Sequence, residues 1–334
     1  MTQKDSYMKQ EAPWITYRPE LKVLDCTIRD GGLCNNHQFD DDLVKAVYAT
    51  CVESGLDYME IGYRNSKRLF PKDEFGPFRH SDEEDIRKIT GDHNSESTGL
   101  KLALMADAGK SDWAEDILPC DESVVDMVRI ACYVNQIPET VEMIYDAHEK
   151  GYETSCNIMA ISIVQQGEID EALKAVIATP VDVICVVDSF GALYREQIEI
   201  LVRKYLQAVE GTSKEVGIHT HNNQQLAFAN TIEAIILGSN RVDATMDGLG
   251  RGAGNCPMEL LLGFLRNPKF KTRPIYQLLQ EYFIPLRRNL EWGPTVPYNI
   301  TGQHNQHPRS AMAFEASSSR EDYVDFYDKI IRDI

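Results

Sequence analysis

The strongest constraint in this chain is a rhythm. From residue 23 onward, short apolar runs alternate with longer amphipathic stretches. The runs at 23–27, 58–61, 101–105, 127–131, 154–160, 181–187, 216–219 and 241–244 have the length and composition of buried strands. Between them, at 41–54, 82–89, 111–118, 138–150, 168–178, 195–209 and 224–237, apolar residues recur at helical spacing, and a further such stretch at 257–265 follows the last run. Gly55, Gly151 and Gly238 stand where helix C-terminal stops belong. Eight strand–helix units in series, with no long structureless gap, predict an α/β fold of the (β/α)8 TIM-barrel type. An open doubly wound sheet would call for a GxGxxG turn after the first strand, and none is there. Beyond residue 266 the repeat ends: helices are expected over 276–287 and 322–334, around a Pro- and Gly-punctuated loop at 292–308. The expected organisation is an N-terminal extension (1–22), a barrel (23–266) and a short C-terminal helical extension (267–334).

Charge and cysteine usage narrow the function classes. A net charge of −18 argues against nucleic-acid binding, which needs clustered Lys and Arg, but leaves room for a small anion held by a local arginine. No apolar run approaches the roughly 18 residues that span a bilayer. The first nineteen residues are polar and carry no signal-peptide core. Of the eight cysteines none forms a CxxC pair, and Cys51, Cys156 and Cys185 sit inside apolar segments, as small buried hydrophobes do in a reducing compartment. The expectation is a cytoplasmic enzyme acting on small molecules.

Polar residues gather where the expected strands end: Arg29 and Asp30, Glu60, Arg129, Asn157, Asp188, His219 and His221. In a barrel all of these face the mouth where active sites are built. Side chains alternate along a strand, so His219 and His221 point the same way and make half of a metal site. Asp30 is the candidate carboxylate. One hard oxygen and two imidazoles suit Mg²⁺, Mn²⁺, Co²⁺ or Zn²⁺. The set also resembles that of non-haem Fe(II) oxygenases, which usually sit on a jelly roll rather than on eight strand–helix units. Arg29 adds a permanent cation beside the metal, so the pair can hold a 2-oxo acid and meet the charge of an enolate. The glycine-rich turn 248–254 lets backbone approach a ligand, and Asn255 offers an amide oxygen.

Three of these stretches together carry a family resemblance. Asp25-x-Thr27-x-Arg29-Asp30-Gly31, His219-x-His221-Asn222 and Gly248-x-Gly250-x-Gly252-x-Gly254-Asn255 resemble the signature of the DRE-TIM metallolyase (HMGL-like) superfamily. The resemblance covers about residues 23 to 265 and implies a divalent metal, Mn²⁺ foremost, bound by Asp30, His219 and His221 with Asn255 near or on it. Gly32 stands where acyl-CoA-condensing synthases usually carry Glu, and Val187 where carboxyltransferases carry a carbamylated lysine. Asp188-Ser189-x-Gly191-Ala192 and the stretches 221–230, 241–244 and 250–257 are most similar to 4-hydroxy-2-oxovalerate aldolases. The resemblance therefore implies an aldolase that cleaves or forms a 4-hydroxy-2-oxo acid through a pyruvate enolate and an aldehyde. Substrate contacts are expected from Arg29, Arg129, Asp188 and Ser189, and catalytic roles from Arg29, His37 and Tyr298, the last matching that family's tyrosine. Leu33 occupies the position of the aldolases' catalytic histidine, which leaves His37, Tyr298, His304 and His307 as candidate bases. A homo-oligomer is expected, while the aldolases' dehydrogenase partnership is not carried over, because the C-terminal region differs. Two alternatives stand: an acyl-CoA-dependent lyase or Claisen-type synthase on the same fold, and a barrel that has lost its base and its activity.

Overall fold

Alternation along each apolar run splits its side chains between two cores, and that division builds the molecule. In the computed structural model, which describes residues 18–332, eight parallel strands close into a barrel in sequence order. They are β1 (Lys22–Asp25), β2 (Tyr58–Tyr63), β3 (Lys101–Asp107), β4 (Met127–Cys132), β5 (Glu153–Ile158), β6 (Val183–Asp188), β7 (Glu215–Thr220) and β8 (Arg241–Ala244). Pairing of β1 with β8, Leu24 opposite Asp243, closes the ring and leaves no edge. One set of alternating side chains, such as Val23, Ile61, Leu104, Ile130, Ile184 and Ile218, packs outward under the helices. The other set, including Leu24, Tyr58, Ala103, Met127, Val183 and Cys185, fills the barrel interior. Each buried aliphatic side chain stabilises the fold by about 1.5–3 kcal/mol.

The principal helix after each strand is α1 (Asp41–Ser54), α2 (Glu83–Thr90), α3 (Trp113–Asp116), α4 (Ile137–Glu149), α5 (Gln166–Ile177), α6 (Arg195–Ala208), α7 (Ala227–Leu237) and α8 (Met258–Leu265). Gly55 and Gly238 follow α1 and α7 with φ of +72° and +125°, conformations that glycine adopts without a Cβ penalty. The helix expected over 111–118 is only one turn, because Pro119 disfavours helical geometry in the residues before it and Ile117 is already extended.

Two further departures from the sequence expectation shape the mouth of the barrel. The first strand stops at Asp25 rather than Thr27, and Thr27–Gly31 forms a helical turn. The Asp25 carboxylate accepts the Thr27 hydroxyl at 2.5 Å and its backbone N–H at 3.2 Å, which bends the chain over the barrel end and carries Arg29 and Asp30 with it. In addition, the loop expected over 292–308 contains a helix, Val296–Gln303, whose first turn holds Pro297. Together with Arg309–Glu315 and Tyr323–Arg332 it forms a helical C-terminal region, and Tyr298, Ala311, Phe326 and Ile330 pack against Ala253 of the glycine-rich turn. Residues 1–17 of the expected N-terminal extension and 333–334 of the expected last helix lie outside the described residues. Among the described residues no helix is long and apolar enough to cross a membrane.

Candidate metal and substrate site

Strand ends and the turns that follow them bring polar side chains together in one cleft at the barrel mouth. Its lining includes Arg29, Asp30, His219, His221, Arg251 and His307. Asp30, His219 and His221 each offer a ligand atom, and these atoms all lie within 4.8 Å of one another. All three side chains are buried.

The donor set fits a divalent cation. His221 Nδ1 and Asn255 Oδ1 are buried with no hydrogen-bond partner, a costly arrangement unless something else satisfies them. His221 Nδ1 stands 3.9 Å from Asp30 Oδ2. Burial holds His221 well below its ordinary pKa, so its lone pair is available. Burial pushes Asp30 upward, but Arg29, the two histidines and Arg251 outweigh it and keep the carboxyl well below the usual carboxylate range. A Cβ at Gly250 would overlap Asn255 Oδ1 and stand 2.7 Å from Asp30 Oδ2, so only glycine lets the 248–254 turn lie this close. A second grouping, Cys26, His219 and Asp243, is less suited to a cation. Its Asp243 carboxylate already takes Arg129 Nη2 at 2.6 Å, and burial pushes the Cys26 thiol well up, which keeps it protonated.

Behind the cleft a chain of buried ion pairs runs down the barrel interior. Arg29 donates from Nη1 to Asp30 Oδ1 at 2.7 Å and from Nε to Glu60 Oε2 at 2.6 Å. Arg129 Nη1 donates to the same Glu60 oxygen at 2.9 Å and its Nη2 to Asp243. His219 Nδ1 lies 3.0 Å from the same Asp243 oxygen. Asp243 thus fixes the imidazole with Nδ1–H toward the carboxylate and the Nε2 lone pair toward the cleft. Asn255 Nδ2 stands 3.2 Å from that Nε2.

The other residues singled out from the sequence divide between the cleft and its supports. Ser189 lines the cleft, its hydroxyl oxygen accepting the Ala160 N–H at 2.8 Å. Asp188 does not; it accepts the N–H groups of Ala192 and Leu193 in the turn after β6, and burial pushes its pKa up to about 7. Arg129, 1% exposed, sits below the cleft between Glu60 and Asp243. His37 is fully buried with Nε2 3.0 Å from the Arg29 carbonyl oxygen and its ring edge-on to Tyr63. Burial, with Arg79 nearby, lowers its pKa to about 3, and it does not line the cleft. Tyr298 is buried behind the glycine-rich turn, near Gly252, and His304 packs against the Tyr327 ring. Of the four candidate bases only His307 reaches the cleft lining. The structure adds Tyr63, Tyr133 and Arg251 to that lining, together with an apolar wall of Leu33, Met105, Ala131 and Met159. Arg251 stands between Gly250 and Gly252, and in sequence an arginine in a glycine-rich turn reads as a solvated surface group.

A closed eight-stranded barrel with a carboxylate–imidazole donor set at its mouth, suited to a divalent cation, defines the class of protein. The chain belongs to the HMGL-like family, whose model matches residues 20–280. It is 31% identical to an oxaloacetate decarboxylase of Mycobacterium tuberculosis over 253 residues, 75% of this chain and 71% of the relative. It is 30% identical to a 4-hydroxy-2-oxovalerate aldolase of Pelotomaculum thermopropionicum over 254 residues, 76% of this chain and 72% of the relative. Among solved structures, the N-terminal domain of a candidate aldolase from Bacteroides vulgatus superposes with a TM-score of 0.76 at 29% identity, covering 94% of this chain and all (100%) of that one.

Proposed function

We propose that this protein is a divalent-metal-dependent aldolase that cleaves or forms a 4-hydroxy-2-oxo acid by way of a pyruvate enolate and an aldehyde. One observation carries the reading. Arg29 is locked by Glu60 and Asp30 beside the Asp30–His219–His221 donor set, and among the described residues no hydrogen bond engages its Nη2, which leaves it to meet a substrate oxygen. Held by Asp30, His219 and His221, with Asn255 as a further oxygen donor, a divalent cation (Mn²⁺ foremost, with Mg²⁺, Co²⁺ or Zn²⁺ compatible) would supply Lewis-acid polarisation of the 2-oxo acid. In cleavage, the C4 hydroxyl loses its proton, the C3–C4 bond breaks, and its electron pair moves toward the C2 oxygen. The guanidinium of Arg29 meets that developing charge with a preorganised donor, a contribution that typically changes turnover a hundredfold or more. The Tyr63 hydroxyl, in the cleft lining, is the titratable group outside the donor set that we assign to the proton at C4. His37 serves by fixing the Arg29 backbone. The eight cysteines are all free and six are buried, which supports a reducing cytoplasm.

A second reading draws on the apolar wall. Leu33, Tyr63, Met105, Ala131 and Met159 cluster together where the aldolases' base would stand. Loss of carbon dioxide from a 2-oxo-4-carboxylate such as oxaloacetate passes through the same enolate without any hydroxyl to deprotonate, and the Mycobacterium tuberculosis relative bears that name. The acyl-CoA alternative has fold likeness alone behind it, as with the Brucella melitensis HMG-CoA lyase at 13% identity. The test is product analysis by NMR with Mn²⁺, giving the enzyme pyruvate plus a panel of aldehydes, or oxaloacetate. New 4-hydroxy-2-oxo acid supports the aldolase; turnover of oxaloacetate alone transfers the assignment to the decarboxylase.

A further inference from the structure

Two arginines reach the cleft, and they are provided for differently. Arg29 is matched by Glu60 and Asp30. Arg251 has no carboxylate within ion-pair distance of its guanidinium among the described residues. Its Nη2 donates to the Ser189 backbone carbonyl at 2.6 Å, and its buried Nε has no partner. A part-buried guanidinium cannot shed its charge, so leaving it unmatched is costly unless an anion arrives. The chain carries 52 Asp and Glu against 34 Lys and Arg, yet Asp30, the acid that Arg251 meets, takes its backbone N–H at 3.4 Å and is itself ion-paired to Arg29.

The surroundings share the same sign. Burial first, then the charges of Arg251, Arg309 and Lys110, lower the pKa of His307 to about 4. Lys110 has a carboxylate only at 3.8 Å, in Asp107, and the Arg309 side chain forms no ion pair among the described residues. The Arg309 backbone N–H donates to His307 Nδ1 at 3.1 Å, which leaves the neutral imidazole with its proton on Nε2, a donor. Arg251 and His307 therefore present donors in a cleft whose Leu33, Met105, Ala131 and Met159 are apolar.

We propose that Arg251, with His307 beside it, binds a second anionic group of the substrate, a phosphate or carboxylate carried by the aldehyde half. This rests on the aldol reading above and adds to it that the acceptor is an acidic aldehyde. The experiment compares matched acceptors in aldol addition with pyruvate: glyceraldehyde against glyceraldehyde 3-phosphate, and butanal against succinic semialdehyde. Wild-type enzyme should favour the charged member of at least one pair by about a hundredfold or more in kcat/KM, and the pair with the larger ratio identifies phosphate or carboxylate. Arg251→Gln should bring the ratio to within about threefold of unity, with the loss falling on KM for the charged aldehyde, and Arg251→Lys should lie between. Equal use of charged and neutral aldehydes by wild type would overturn the inference. So would an Arg251→Gln effect on KM for pyruvate instead, which would assign Arg251 to the 2-oxo acid carboxylate. If pyruvate exchanges its methyl protons but neither pair reacts, the inference fails while the enolate reading stands; if exchange is absent too, both fall.

Discussion

Asp243 touches neither the cleft nor a substrate, yet replacing it by Asn should weaken metal binding. Its Oδ2 takes both the His219 Nδ1–H at 3.0 Å and Arg129 Nη2 at 2.6 Å. Burial pushes the carboxyl upward, but Arg129 and His219 outweigh that and hold it down to about 2, so it is charged across the working pH range. Asn keeps the shape and an oxygen in place while removing the charge. Before the change, the carboxylates of Asp30, Glu60 and Asp243 face the guanidiniums of Arg29 and Arg129, a net negative charge that favours a dication. After it, that charge is gone and the His219 ring loses its charge-assisted anchor. Losing such a supporting partner costs about 10- to 100-fold in metal affinity. The metal-free fold should lose about 2–3 kcal/mol, below the 3–5 typical of a broken buried pair because Arg129 keeps Glu60 at 2.9 Å. Calorimetric titration of metal-free protein with Mn²⁺ reads the first effect, and urea unfolding reads the second as a lower midpoint at unchanged slope. A folded Asp243→Asn variant that binds Mn²⁺ as tightly as wild type would refute the claim that Asp243 orients His219.

Other outcomes follow from neighbouring geometry. Gly250→Ala should displace Asn255 and lower Mn²⁺ affinity by about tenfold or more while the circular dichroism spectrum is unchanged, because the added methyl's nearest neighbours are Asn255 and Asp30; normal affinity would remove Asn255 from the site. Asp188 and Asp25 both have pKa values raised to about 7 by burial, above the roughly 3.9 of an unfolded aspartate. Between about pH 4 and 7 the folded state thus holds protons that the unfolded state has lost, so stability falls as pH rises, at up to about 1.4 kcal/mol per pH unit for each group, and levels off above 7. Asp188→Asn should remove roughly half of that slope in urea titrations; an unchanged slope would show that Asp188 stays ionised.

The barrel was legible because its signal is repetitive: each apolar run repeats the last, and one-residue errors at a strand end leave the order of strands intact. His219 and His221 were legible for a related reason, since strand alternation alone puts two residues at i and i+2 on one face. The ion-pair chain beneath them was not. Glu60, Arg129 and Asp243 come from β2, β4 and β8, with Arg129 and Asp243 separated by 114 positions, and only barrel closure makes them neighbours. His37 was read as a base candidate by residue type, but the turn that leaves it at a φ of +59° aims its ring under Arg29 rather than at the cleft. The helix at Val296–Gln303 escaped because its proline reads as a loop signal, whereas in a first turn proline costs nothing.

The central claim is that this site makes a pyruvate enolate, and proton exchange tests it most directly. Pyruvate in D2O, incubated with the metal-loaded protein and quenched with chelator, should show loss of its methyl proton signal by NMR. The exchange should vanish without divalent metal and fall about a hundredfold or more in Arg29→Lys, which keeps the charge but cannot span Glu60, Asp30 and the substrate oxygen together. Metal-loaded wild-type protein that leaves the methyl protons unexchanged would contradict the account and move the acyl-CoA alternative ahead.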